Sequence, residues 1–355
     1  MNYDSNSNRS NENPVTQTIV DQIDQNTPNE RTKTVMKSLV RHLHAFVEDV
    51  QLTQEEWTHA IDFLTRTGQT CDANRQEFIL LSDVLGVSIL VDSINHPNDD
   101  QHHRQRNNEE PPSSITTTST TTTTSTTTTT ESTVLGPFFR ESAPILDNGA
   151  MLTTLDQITK GTPLLVDCRV LDGPTDIPVT NCTVNVWQAS SEGLYDVQQQ
   201  TDDDDDDVVA TDLRGVFRPS SIDGRFWFFT VTPSSYPIPT DGPVGELLTE
   251  LGQHPNRPAH IHFQIRAPGF EPLTTHLFLK GDPYLKSDAV HAVKDSLIVP
   301  VSKRTAGTHP PIDGLPDLIR RHGLQDNDVY QLNYIFRLKQ QRHRRGLNDR
   351  FLVVD

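Results

Sequence analysis

Residues 257–269 read Arg257-Pro258-Ala259-His260-Ile261-His262-Phe263-Gln264-Ile265-Arg266-Ala267-Pro268-Gly269, and their alternation decides the fold class. Between a proline and a Pro-Gly turn signal, every second residue is apolar, the period of a strand with one face on a core. Ala259, Ile261, Phe263 and Ile265 point one way; His260, His262, Gln264 and Arg266 point the other. The two imidazoles therefore leave one face about 6.6 Å apart along the strand, a gap that side chains can close on a shared ion. Taken alone, His-x-His in a strand is a weak sign of a metal, because surface or satisfied core histidines are commoner.

Outward from this strand, Leu164–Leu171, Thr183–Ala189, Arg225–Thr232 and Leu273–Leu279 also read as strands. Turn signals at Asp172-Gly173-Pro174, Asp223-Gly224, Asp241-Gly242-Pro243 and Gly281-Asp282-Pro283 separate them. No long helices alternate with these segments, so the expected fold is mainly β: a mixed-topology β-sandwich over residues 132–340 rather than a parallel α/β sheet.

The amino-terminal part differs. Val35, Met36, Leu39, Val40, Leu43, Phe46, Val47 and Val50 recur at helical spacing. Thr53 and Glu56 form a capping box that opens a second helix, with Gly68 as its stop. Phe78 to Val91 reads as a third helix, apolar on more than one side. Residues 29–96 are thus an α-helical module, expected to dimerise because its apolar faces exceed what three helices can bury. Residues 1–28 lack apolar periodicity and read as a disordered tail, and 341–355 as a C-terminal tail. Residues 97–131, almost all Thr and Ser from Ser113 to Thr130, read as an exposed low-complexity insertion. Asp202–Asp207 reads as a solvated acidic loop rather than a calcium site.

The net charge is −18, and the body is acidic even without that run. This argues against nucleic acid or an anionic membrane as partner. Cys71, Cys168 and Cys182 form no CxxC pair and fit buried free thiols in a reducing compartment. With a polar start and no long apolar run, the expected address is the cytoplasm.

Of only six tyrosines, two sit at unusual places. Tyr195 follows Glu192-Gly193-Leu194 just after the strand holding Trp187. Tyr236 lies among prolines in Pro233-Ser234-Ser235-Tyr236-Pro237-Ile238-Pro239, a stiff segment that should not join a regular ladder. A ring packed for structural reasons is an equally common reading of each one in isolation.

Three stretches together resemble the metal-site segments of the catechol-type intradiol ring-cleavage dioxygenases: Gly193-Leu194-Tyr195-Asp196, Tyr236-Pro237-Ile238-Pro239-Thr240-Asp241-Gly242-Pro243 and Arg257–Phe263. Val134-Leu135-Gly136-Pro137-Phe138-Phe139 resembles the family's substrate-pocket segment. Arg75-Gln76-Glu77-Phe78-Ile79-Leu80-Leu81-Ser82-Asp83 resembles its amino-terminal module. The resemblance covers residues 30–96 and 132–335.

It implies a mononuclear ferric ion, Fe(3+), held by Tyr195, Tyr236, His260 and His262, with O2 and an aromatic diol or triol as substrates. Phenolates are hard anionic donors suited to ferric iron, whereas zinc more often takes Cys, His and carboxylates. The resemblance makes Tyr236 the ligand that leaves and accepts a substrate proton, and Arg257 the cation that stabilises charge on the ring. Leu80, Asp83, Leu135, Gly136, Pro137, Ile238, Pro239, Arg257 and Val290 match lining positions of hydroxyquinol 1,2-dioxygenases, with catechol cleavage as the alternative. His276 stands where many catechol-cleaving members carry Gln, and Lys286 replaces an expected acidic residue. Neither is expected to touch the four ligands. The family pairs through its helical module, in some members with a lipid between the helices. A catalytically dead binding module would lack a ligand, and a zinc hydrolase on His260 and His262 would need a third ligand and a carboxylate base.

Overall fold

The computed structural model describes residues 12–72, 75–96, 129–198, 212–305, 319–321, 323–325 and 328–341. Most of the Thr/Ser insertion, the Asp202–Asp207 run and the C-terminal tail beyond residue 341 lie outside the described residues. The chain divides into two compact units, residues 1–66 and 67–355. Among the described residues, no helix is long and apolar enough to cross a membrane.

The smaller unit holds helices α1 (Pro14–Asn26), α2 (Glu30–Val50) and most of α3 (Gln54–Gln69). Helix α1 corrects the expected disordered tail. Asn13 caps it by accepting from the Val15 N–H. Thr16 and Val20 are buried, and Thr16 Oγ1 lies 2.7 Å from Nδ1 of His44 on α2. Its apolar stripe is too short to stand out among polar residues, yet α2 gives it a surface to cover. The Thr53–Glu56 capping box forms as read, with Thr53 N and Oγ1 each 2.9 Å from Glu56 Oε2. Val35, Leu39, Leu43 and Phe46 on α2, and Trp57 and Ile61 on α3, remain exposed.

In the larger unit the expected single helix over 78–91 is two, α4 (Glu77–Val84) and α5 (Val87–Asn95). Gly86, with φ +70°, breaks the run in the left-handed region that glycine tolerates. Helix α4 belongs with the sheets, since buried Glu77 accepts from Val244 N–H at the start of another helix, Pro243–Glu250.

The strands are β1 (Pro163–Asp172), β2 (Thr183–Gln188), β3 (Arg214–Phe217), β4 (Arg225–Val231), β5 (Tyr236–Pro237), β6 (Asn256–Arg257), β7 (His260–Arg266), β8 (Leu273–Leu279), β9 (Ile298–Val299), β10 (Val301–Lys303) and β11 (Tyr330–Leu338). They form a four-stranded sheet, β10-β11-β1-β4, a five-stranded sheet, β3-β2-β7-β8-β9, and the small β5-β6 pair. Each large sheet is mixed: β1 runs parallel to β11 and β8 to β9. The two sheets share one apolar core. Val166, Phe228 and Phe336 lie in the same buried cluster as Val186, Ile261 and Leu277. Phe263 and Phe336 bring their rings to 4.8 Å, and Phe217 and Phe228 to 4.9 Å. Each such side chain contributes about 1.5–3 kcal/mol by leaving water. Among the described residues "mainly β" overstates the strand content, because the helices outnumber the strands in residues.

Candidate metal centre

Strand β7 is held on both sides, by β2 and by β8, so its side chains sit on rigid backbone. Its inner face, Ile261, Phe263 and Ile265, is fully buried in the core. The opposite face carries His260 and His262, each 1% exposed. The alternation read from the sequence therefore places both imidazoles on one buried face.

Tyr236 departs from expectation in one respect: its stiff segment does join a ladder, though only a short one. Tyr236 pairs with Arg257 and Pro237 with Asn256, and Ile238 N–H donates to Pro255 O. This pairing brings Tyr236 beside the residue three positions before His260. Tyr195 arrives from the turn after β2, where Ser190 Oγ accepts from Glu192 and Leu194 N–H. Gly193, with φ +84°, is needed there, since a Cβ would stand 2.8 Å from Tyr236 Cβ.

The four expected ligands converge. Tyr195 Oη lies 3.4 Å from Tyr236 Oη, 3.4 Å from His260 Nε2 and 3.1 Å from His262 Nε2. The two Nε2 atoms are 3.1 Å apart. His260 donates its Nδ1 proton to Pro258 O at 2.6 Å, which leaves the Nε2 lone pair facing the centre. Four donors about 2.0–2.1 Å from one ion in tetrahedral geometry would stand about 3.3–3.4 Å from each other. The observed spacings fit one cation at the common point.

Electrostatics agree. Burial, reinforced by Arg257, pushes His260 down to about 3. Burial, with His276 and His260 adding to it, holds His262 well below its usual range, so both rings are neutral donors. Burial, then the neighbouring Tyr236, pushes the Tyr195 phenol well up; only a bound cation would make it a phenolate. Arg257 NH1 lies 3.3 Å from His260 Nε2. Burial alone would lower the guanidinium's pKa, but Asp288 and the two tyrosines outweigh it and push it up.

Aromatic walls enclose the donors. Trp187 stacks on His262 at 4.6 Å, and Phe138 on Tyr195 at 4.4 Å. Of the expected lining, Gly136 touches His262, whose Cε1 would stand 3.3 Å from a Cβ there. Leu80, Ile238 and Val290 are buried in the main core cluster. Asp83 is 2% exposed; burial raises its pKa, while Ser88 and Arg257 pull the other way. Leu135 is exposed and Gly136, Pro137 and Pro239 are half-buried, so these four are the least enclosed.

One expectation fails. His276 does touch the ligands: it is the register partner of His262 on β8, with ring centroids 4.1 Å apart, and stands 4.9 Å from His260. Its Nδ1 lies 2.8 Å from Thr133 Oγ1. Together with His260 and His262 it forms a cluster able to hold a metal, which supplies the third imidazole that a zinc reading lacked. Cross-strand register put it there, and no spacing along the chain signals that.

Two family models match the chain, "Catechol dioxygenase N terminus" over residues 29–103 and "Dioxygenase" over residues 134–338. The 6-chlorohydroxyquinol 1,2-dioxygenase of Cupriavidus pinatubonensis is 45% identical, over 80% of this chain and 89% of the relative. The catechol 1,2-dioxygenase of Candida albicans is 34% identical, over 77% of this chain and 79% of the relative. The solved hydroxyquinol 1,2-dioxygenase of Pseudomonas putida superposes with a TM-score of 0.70 at 42% identity, covering 92% of this chain and 98% of that one.

Proposed function

Because this chain belongs to the catechol-type intradiol ring-cleavage dioxygenases, we propose that it cleaves hydroxyquinol (benzene-1,2,4-triol) with O2 between the two adjacent hydroxyl-bearing carbons. The product is 3-hydroxy-cis,cis-muconate or its keto form, maleylacetate. Catechol cleavage to cis,cis-muconate is the second reading, and the greater identity to a hydroxyquinol-type relative, 45% against 34%, favours the first. In this reading the two mixed sheets are the layers of a β-sandwich, and 29–96 is the helical dimerisation module. The observation that carries the proposal is the convergence of a second phenol and two neutral imidazoles on Tyr195 Oη, each 3.1–3.4 Å from it.

Tyr195, Tyr236, His260 and His262 would hold Fe(3+). When bound, ferric iron supplies Lewis acidity that makes two adjacent ring hydroxyls more acidic and draws electron density from the ring. Tyr236 sits on a two-residue ladder bounded by prolines rather than on a long strand, which suits a side chain that releases and takes a proton at its Oη. Tyr195, packed under Phe138, stays in place. Arg257 presents NH1 to the site, where negative charge develops on substrate oxygens. Trp187 and Phe138 keep water out.

Asp83 would accept from the third hydroxyl of hydroxyquinol. Catechol would leave this buried carboxylate unsatisfied on that side, a cost of about 1–3 kcal/mol, so a preference of roughly tenfold follows. We expect Asp83→Ala to narrow that gap by slowing hydroxyquinol and sparing catechol, measured as kcat/KM for both. Equal use of both substrates by the wild type would remove the hydroxyquinol assignment and leave ring cleavage standing.

The exposed apolar faces of α2 and of α3 are best read as halves of a homodimer interface, where a lipid would also fit. Sedimentation at assay concentration should show a dimer; a monodisperse, active monomer would contradict this. Anaerobic titration with hydroxyquinol and catechol, followed by oxygen and product analysis, tests the substrate assignment directly.

A further inference from the structure

We infer that Asp288 is a positioning residue, aiming Arg257 at the reacting centre and fixing the pocket wall at Val290 with the same carboxylate. The inference rests on the ring-cleavage reading above. Asp288 and Arg257 are 5% and 2% exposed. Asp288 Oδ1 lies 3.1 Å from Arg257 Nε, and Oδ2 lies 3.5 Å from NH2. This pairing occupies one edge of the guanidinium and leaves NH1 on the far side, 3.3 Å from His260 Nε2. A guanidinium is planar and rigid, so holding one edge decides where the other points.

The carboxylate's remaining capacity goes to backbone. Oδ1 accepts from Val290 N–H at 3.3 Å and Oδ2 from Ala292 N–H at 3.0 Å. That turn contains His291 at φ +57°, a conformation uncommon for a residue with a Cβ. His291 Nε2–H in turn donates to Val84 O at 3.2 Å, at the end of the helix that carries Leu80 and Asp83. One buried carboxylate therefore ties the site's cation to one pocket wall directly, and to a second through His291. Asparagine in its place keeps the shape, but whichever way its amide turns, an N–H meets another N–H donor.

The test is a double-mutant cycle on iron-loaded protein: wild type, Asp288→Asn, Arg257→Ala and the double variant, with Asp288→Glu alongside. Metal content, visible spectrum, thermal unfolding, anaerobic hydroxyquinol binding and turnover are measured for each. Asp288→Asn should keep the metal and its colour and weaken hydroxyquinol binding only slightly, through the Val290 wall, while kcat falls about 10–100-fold. In the Arg257→Ala background the same change should cost much less, about what the loosened Val290 wall loses, because no guanidinium remains to be aimed. Asp288→Glu, which keeps the charge, should recover part of kcat. Equal losses in both backgrounds, or a lower Tm with kcat unchanged, would overturn the inference. Should the asparagine variants not fold, the cycle is run with glutamate, and additivity there overturns it equally. If the wild type consumes neither hydroxyquinol nor catechol, the ring-cleavage reading falls and takes this inference with it; an active wild type with an additive cycle sinks this inference alone.

Discussion

Replacing His262 with alanine is expected to abolish metal binding, the tyrosinate-to-iron colour and ring cleavage together. His262 supplies one of four donors whose spacing defines the centre. It is also the middle of a cross-strand row, with Trp187 on β2 and His276 on β8 on either side. Alanine removes the donor and leaves Trp187 without the ring it stacks on at 4.6 Å. Changes to residues that merely orient a ligand cost about 10–100-fold in metal affinity or activity; loss of the ligand itself should exceed that. Metal analysis and visible absorbance on the purified variant read the outcome. Full activity in His262→Ala would remove the site assignment, and His276 would become the imidazole to test next.

Tyr236→Phe and Tyr195→Phe should fail differently. With Tyr236→Phe, three donors remain and the metal is retained, but the proton acceptor is gone, and turnover should fall about 10²–10⁴-fold. Tyr195 is fully buried, stacked on Phe138 and within 3.4 Å of the other three donors. Tyr195→Phe should therefore shift the colour and weaken the metal, with lost turnover tracking lost iron. Identical behaviour of the two variants would mean that the division of roles is wrong.

Much of this was legible in the chain because it is local. The alternation at 259–266 marks a strand with two histidines on one face, and Thr53-x-x-Glu56 marks a helix start. What escaped reading depends on partners distant in sequence. β11 is a central strand whose nine residues pair in parallel with β1, and parallel pairing leaves no turn signal between neighbours. Helix α1 gains its order from α2, through Thr16 and His44. His276 reaches the ligands only through the register of β8 on β7. Asp288 reaches Arg257 across 31 residues of chain. The four expected ligands rest on family resemblance, since no spacing along the chain connects Tyr195 and Tyr236 to the histidine strand.

The most direct test of the account is oxygen uptake and product analysis when the iron-loaded protein meets hydroxyquinol. One O2 should be consumed per hydroxyquinol, giving a ring-opened diacid, 3-hydroxy-cis,cis-muconate or maleylacetate, cut between the adjacent hydroxyl-bearing carbons. A ring-opened aldehyde acid, cut beside the diol, would contradict the account, as would substrate left intact by iron-loaded protein.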